Sequence, residues 1–379
     1  MKAIRMIILA MVVCTSLLAA GTAAGTTLTP VMTGLDNPRG LAFAKNGALY
    51  VAEAGRGGTG PCQVLRGVTA CYGPTGRISR YWKGHQKAVV TGLPSYVTAT
   101  DATGPHDLTV HGHKAFVTLG WGENPALRNT PPSNVWQQFG HLVRANLNGK
   151  GKWKLGADIS GFEAASNPDG GPVDTNPYGI LGLRKHSLLV TDAGGNDLLS
   201  VNKPDDKQGK HGGKHNDISL VALFPSRSTT PAHSGCAAPP GFGPSSDSVP
   251  TSVTVGPDGA YYVGELTGAP FCSGNANVYR VPQGMPPGLV TTPYCTGFTT
   301  IIDLTWGPDG FLYVLEHSTG PAFFAMPGDV VRVGPGCTKT QVVSGLNRPG
   351  SLAFGRNGKL YVSINSTSVG TGEVVRVDP

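Results

Sequence analysis

Charged residues are scarce in this chain: Asp, Glu, Lys and Arg make up 14% of it. No stretch gathers lysine and arginine into a dense stripe, so the footprint needed to hold a nucleic acid is missing. The segment 203–214, KPDDKQGKHGGK, mixes its lysines with two aspartates and three glycines and reads as a solvated loop. Its His211, with His215 beyond, sits on too glycine-rich a support to favour a metal. No Cys-x-x-Cys pair occurs, which removes the usual zinc and dithiol motifs. Also lacking is the Ala/Glu/Lys/Leu excess of helical proteins. What abounds instead is glycine, 55 residues, and proline, 31 residues. That balance is turn-rich and leans toward β-structure.

Met1 to about Gly25 has the three parts of a secretory signal peptide. Lys2 and Arg5 come first, an apolar run from Met6 to Ala20 follows, and small residues close it. The run is short for a membrane anchor, and Cys14 lies inside it. Its removal takes the formal charge from +7 to +5. The expected mature product is a secreted monomer, residues 26–379, with no membrane span. Six cysteines remain: Cys62, Cys71, Cys236, Cys272, Cys295 and Cys337. An even number in an exported chain points to disulfides, with fifteen pairings open. Cys62 and Cys71 are close enough in sequence to be expected partners.

The strongest pattern is a repeat. NPRGLAFAKNGALYVAE, from Asn37, returns as VPTSVTVGPDGAYYVGE from Val249 and RPGSLAFGRNGKLYVSI from Arg348. Further copies begin at Gly104, Asn176 and Ile301, making six, the first two being the weaker. Each is a short apolar strand, a tight turn and a second strand rich in Tyr, Val and Leu. Four turns use Asn-Gly or Asp-Gly, at Asn46, Asp258, Asp309 and Asn357, dipeptides that accept the positive φ of tight hairpins. A third strand follows each hairpin (GRISRYW, HLVRANL, DLLSVNK, NVYRVPQ, DVVRVGP, EVVRVDP), and a fourth shows as AVVTGLP and QVVSGL. Four antiparallel strands repeated radially define an all-β, six-bladed β-propeller. The blades are expected at about 36–93, 104–162, 176–224, 249–298, 301–346 and 348–379. The last lacks a fourth strand, and TLTPVMTGL (27–35) is expected to supply it. Pro38, Pro105, Pro177, Pro250 and Pro349 share one register just before the first strand, where a missing N–H is tolerated.

The residues after these prolines should ring the mouth of the axial channel: Arg39, His106, Tyr178, Thr251, Ile302 and Gly350. The next layer is Gly40, Asp107, Gly179, Ser252, Asp303 and Ser351. Strand alternation predicts that only one of each adjacent pair, such as His106 and Asp107, faces the channel. Convergent polar groups at a concave centre are the default ligand site. The ligand candidates are Arg39, His106, Asp107, Tyr178, Thr251, Asp303 and Arg348. Asn37, Asp107, Asn176 and Asp303 offer oxygens from separate blades to a calcium ion. His106 is the one candidate base, and no complete catalytic motif accompanies it. Glu53, Asp192, Glu265 and Glu316 share another register, at the end of the second strand. Repetition suits a scaffold role better than a unique site. The long insertions 55–75, 121–139 and 226–248 fall on one face, the usual place for specificity. Cys236 and Cys272 would both lie there and are a plausible pair. Cys295 and Cys337 are left by elimination, and the topology puts them on different blades.

The phrases LDNPRGLAFAKNGALYVAEAGRGGTGPC, ATGPHDLTV, FEAASNPDGGPVDTNPYG, VTDAGGNDLL, SVPTSVTVGPDGAYYVGELTG and FTTIIDLTWGPDGFLYVLE resemble the ScyD/ScyE family of exported bacterial propellers. That resemblance implies export and an NHL-like or TolB-like six-bladed propeller, and carries no established reaction or catalytic residues. Three functions compete. The first is a binding or assembly module taking a small molecule or an extracellular protein at the top face. The second is a calcium-assisted hydrolase or lactonase using the channel. The third is a quinone-dependent sugar dehydrogenase, with Arg39, Arg348 and His106 facing an anionic quinone.

Overall fold

Each Asn-Gly or Asp-Gly turn closes as its chemistry allows. In the first, Gly47 takes φ 85° while the Asn46 carboxamide accepts the N–H of Ala48 at 3.1 Å. A computed structural model of the chain describes residues 26–98, 101–148, 151–183, 187–202, 218–228, 245–320 and 326–378. The hairpins build six radially placed sheets. Their inner strands are Pro38–Phe43, Pro105–His111, Pro177–Gly182, Pro250–Val255, Ile301–Trp306 and Ser351–Phe354. We number the blades 1 to 6 in that order.

Blade 6 is completed as the sequence predicts. Thr27–Leu35 pairs antiparallel with the chain's last strand, Gly372–Asp378, from Thr27 opposite Asp378 to Leu35 opposite Gly372. The core lies between blades rather than within them. Six apolar clusters form, one at each junction: Tyr50, Ile78 and Val117 between blades 1 and 2, for example, and Met32, Val51 and Val374 between blades 6 and 1. Such burial, at roughly 25 cal/mol per Å² of apolar surface, seals neighbouring blades to one another.

Two insertions depart from the loops expected. Within 55–75, Cys62–Leu65 and the start of Val68–Trp82 form a hairpin around Arg66-Gly67. The third and fourth strands of blade 1 therefore run on beyond the disc, Val68–Trp82 against His85–Val97. Segment 121–139 folds against this extension. It buries Trp121, Trp136 and Phe139 completely, in edge-on and tilted contact with Tyr96. After blade 2 comes a helix, Ile159–Ser166, that strand patterning did not predict. Asp158 caps it by accepting the Gly161 N–H at 2.8 Å, and Asn167 ends it at φ 37°, both ordinary terminus signals.

Cys62 and Cys71 are bonded, and so are Cys295 and Cys337. The second bond joins the outer strand of blade 4, Pro293–Phe298, to the turn Pro335–Cys337 in blade 5. Those elements are neighbours at the rim, so different blades prove no obstacle. Cys272 is disulfide-bonded as well; its expected partner Cys236 lies outside the described residues. So do Met1–Gly25, the lysine-rich segment 203–214, His215, and most of 226–248. No helix of the described residues is long and apolar enough to cross a membrane.

Candidate functional site at the propeller axis

The register slips immediately after the aligned proline in blades 1 to 4, between Pro38 and Leu41, Pro105 and Leu108, Pro177 and Ile180, Pro250 and Ser252. Blade 5 slips between Ile301 and Asp303. A bulge breaks alternation and re-aims side chains. This corrects the expectation that only one residue of each adjacent pair serves the axis: His106 and Asp107 both reach across to blade 3.

Arg39 leaves blade 1 almost fully buried, at 3% exposure. Its guanidinium pairs with the Asp101 carboxylate and donates to the Ala102 carbonyl at 3.0 Å. Its Nε finds no acceptor. Burial opposes its charge, but Asp101 and the nearby Tyr178 outweigh it, so its pKa is raised. The Asp101 side chain is 43% exposed and marks the open side of the mouth. The His106 ring lies on Tyr178, centroids 4.6 Å apart, with Nδ1 3.3 Å from the Pro177 carbonyl. A carbonyl only accepts, so Nδ1 carries the proton and Nε2 is left as an acceptor. Burial, helped by Arg39, lowers its pKa to about 3, which keeps the imidazole neutral. The Tyr178 hydroxyl also lacks a hydrogen-bond partner. Burial pushes this phenol up to about 12, with Arg39 pulling the other way.

Below this cluster, Asp107 and Asp303 do the same structural job on opposite blades. Each accepts the N–H of its own next residue and one from the following blade. Asp107 takes Leu108 and Ile180, at 2.7 and 2.9 Å; Asp303 takes Leu304 and Leu352, at 2.8 and 2.9 Å. The flanking residues differ. Asp303 also accepts from the hydroxyls of Ser252 and Ser351, at 2.6 and 2.5 Å. Asp107 has Gly40 and Gly179 at those positions, which offer none. Burial raises both carboxyl pKa values, and at Asp107 the Asp303 charge adds to it. The better-solvated partner holds the charge, so the proton resides preferentially on Asp107.

The remaining candidates are placed as follows. The Thr251 hydroxyl donates to the Ile301 carbonyl at 2.7 Å, bracing blade 4 against blade 5. Arg348 donates to Thr367 at 2.9 Å, and its charge acts on the buried His317. Of the calcium candidates, Asp107 and Asp303 lie near enough for the charge of one to act on the other. The Asn37 carboxamide donates to Gly55 at 2.6 Å and that of Asn176 accepts from Trp121 at 3.2 Å, each tied to a strand-exit loop while Asp107 and Asp303 are held by inner-strand amides. Among the described residues no three His, Cys, Asp or Glu side chains stand as a ready metal cage.

Sequence reasoning missed Asp101 and His317. Asp101 lies outside the repeat register. His317 follows the second-strand acid of blade 5, is 1% exposed, and sets Nδ1 2.7 Å from the Pro349 carbonyl. Burial lowers its pKa to about 4, with Arg39 contributing. The signal available was its position, one residue past a recurring acid. Those acids serve the scaffold. Asp192, for instance, accepts from the Thr175 hydroxyl and from the N–H groups of Asn176, Gly194 and Gly195.

A groove of about 560 Å³ lies elsewhere, between turns of blades 1 and 2, lined by Trp82, Lys87 and His113 among others. Its lysines are exposed and no acid–base cluster like that of the axis lines it, so the axial mouth is the better site. There a fixed cation, a neutral acceptor nitrogen, a phenol and an aromatic face stand together.

Comparison by sequence with known families and with characterised proteins finds no match. Comparison of folds finds six-bladed propellers. The soluble aldose sugar dehydrogenase of Escherichia coli aligns at a TM-score of 0.54 and 13% identity, over 93% of this chain and 99% of its own. A Trichoderma reesei carbohydrate-active enzyme of family AA12, in its calcium structure, aligns at 0.53 and 12%, over 94% and 96%. The PQQ domain of Coprinopsis cinerea pyranose dehydrogenase aligns at 0.50 and 13%, over 93% and 96%. At such identities the likeness is one of fold.

Proposed function

We propose that this chain is an exported propeller of ScyD/ScyE type that binds an oxygen-rich, anionic small molecule at its axial mouth. One observation carries the reading. Arg39 is buried and charged with an Nε that finds no acceptor, beside the Tyr178 hydroxyl, with which its guanidinium interacts. Buried donors left unmade are costly, and an anionic ligand with acceptor oxygens supplies what they lack. His106 Nε2 would accept from a hydroxyl of the same ligand. The disulfides and the N-terminal sequence agree with an oxidising, extracytoplasmic setting. The test is calorimetric titration with a panel of carboxylates and sugar acids. Binding should weaken about tenfold or more in Arg39→Met with the fold intact by circular dichroism. Binding indifferent to that substitution would refute the reading.

A second reading is a quinone-dependent sugar oxidoreductase. It is favoured by the fold neighbours and by the neutral His106, whose Nε2 is left as an acceptor. The donor set meets an anionic quinone only in part. Arg39 and Tyr178 suit its carboxylates, while of the four expected calcium ligands Asn37 and Asn176 are engaged by strand-exit loops. Adding pyrroloquinoline quinone, calcium and aldoses should reduce a dye if this reading holds; no turnover removes it.

A further inference from the structure

The acid ending the second strand is balanced by arginine in blades 1 and 4 and by nothing cationic in blade 3. Glu53 meets Arg77, its ladder partner, at 2.6 Å, and Glu265 meets Arg227 at 2.8 Å. In blade 3 the ladder partner of Asp192 is another acid, Asp197. A third carboxylate joins them, Glu163 from the helix Ile159–Ser166. The point where a Cβ would stand on Gly195 shows how closely they approach. It lies 3.2 Å from Glu163 Oε2, 3.6 Å from Asp197 Oδ2 and 3.5 Å from Asp192 Cγ. Three segments therefore aim carboxylates at one spot, above a residue with no side chain.

Asp197 is 1% exposed, and neither of its oxygens has a hydrogen-bond partner; Glu163, equally buried, leaves Oε1 without one. Every charged group acting on these two is another carboxylate: Asp192 and Asp169 on both, each on the other or Asp174 besides. Asp174, beside them, has an unpartnered Oδ1, as does the Asn167 carboxamide. Burying such groups unpaired is expensive. Arginines meet this cost in blades 1 and 4, whereas in blade 5 Glu316 faces another acid, Asp329, with the charge of Lys339 acting on it.

We propose that the space bounded by Glu163, Asp192 and Asp197 is a binding site for a hard divalent cation, calcium by its all-oxygen donors. The ion would stand beside the second-strand acid, as a guanidinium does in blades 1 and 4. The carboxylates surround the spot without forming a closed cage, so the ion draws Glu163 and Asp197 inward. That fastens the helix, and the segment 167–175 after it, to blade 3. Asn176 and Tyr178 follow directly, so the clamp also steadies one wall of the axial mouth.

The experiment uses the full chain stripped with EDTA, then calcium chloride alone, by calorimetry and by thermal unfolding at pH 7.5. One calcium per chain should bind at or below about 1 mM, the range of extracellular modules, and raise the melting temperature. Asp197→Asn and Glu163→Gln should each weaken binding about tenfold or more. Both should melt no lower than the wild type without calcium, since each replaces a buried carboxyl that has oxygens without a hydrogen-bond partner. Asp107→Asn, at the axis, should bind as the wild type does. The proposal fails if no calcium binds up to that concentration, if binding survives both cluster substitutions, or if only Asp107→Asn abolishes it. Should Asp197→Asn not fold, Glu163→Gln decides alone.

Discussion

The difference between Asp107 and Asp303 comes down to which small residue stands beside each. Serine hydroxyls on both sides hold the Asp303 charge, and glycines leave Asp107 to share its burden with a proton. Gly40 has no room to become anything else. A Cβ there would lie 2.1 Å from Asp107 Oδ1 and 2.6 Å from its Cα, and backbone cannot swing aside. Gly40→Ala should cost about 1–3 kcal/mol, as overpacking does, read from urea unfolding midpoints. The buried histidines make a second prediction at this scale. His317 falls from an ordinary 6.5 to about 4 on folding. The unfolded chain then binds a proton that the native chain refuses. Its contribution is fully present above pH 6.5 and is lost as pH drops toward about 4. Urea unfolding from pH 7 to 4 should therefore show a shallower acid loss in His317→Gln than in the wild type. Parallel profiles would show that His317 does not hold its low value.

At the scale of elements, two fastenings invite testing. The bond Cys295–Cys337 closes a separation of 42 residues and joins blade 4 to blade 5. On the chain-entropy account such a loop is worth about 4 kcal/mol. Cys295→Ala with Cys337→Ala should lower stability by about that much, read from denaturant midpoints. The strand Thr27–Leu35 buries Met32 and Leu35 against blades 6 and 1. Its deletion would uncover the edge of Gly372–Asp378, and an open edge invites aggregation. We expect a truncated chain to elute as aggregate in size-exclusion chromatography. The strands themselves were legible because their signals are local: Asn-Gly and Asp-Gly turns, prolines in register, alternating Tyr and Val. The helix Ile159–Ser166 escaped because its Asp cap and Asn stop sit where a fourth strand had just ended. The hairpin at Cys62–Cys71 read as a loop because its glycines mask two short strands.

For the molecule as a whole, convergence is what a one-dimensional reading cannot see. The mouth residues Arg39, His106 and Tyr178 could be found because the repeat places them in one register. Asp101 and His317 lie outside that register, and the trio joins one register acid, Asp192, to its hairpin partner Asp197 and to Glu163 on the helix before blade 3. Buried acids set the molecule's response to alkali. Burial raises Glu163 to about 8, and raises Glu265 to about 7 although Arg227 opposes it. A carboxyl raised on folding stabilises while the native chain holds the extra proton, and that gain is lost as pH climbs through the folded value. Above pH 6.5 the histidines add nothing further, so the melting temperature of calcium-free protein should fall between about pH 6.5 and 8.5. Differential scanning calorimetry across that range would show a flat profile if these carboxyls titrate normally.

The joint in blade 6 has one more consequence. Residues 27 and 378 are ladder partners, so the segments Thr27–Leu35 and Gly372–Asp378 must meet before the seam exists. A chain still emerging from a ribosome or a translocon can carry five finished blades and remain an open arc. The final seven-residue strand, not any early nucleus, is what turns that arc into a ring.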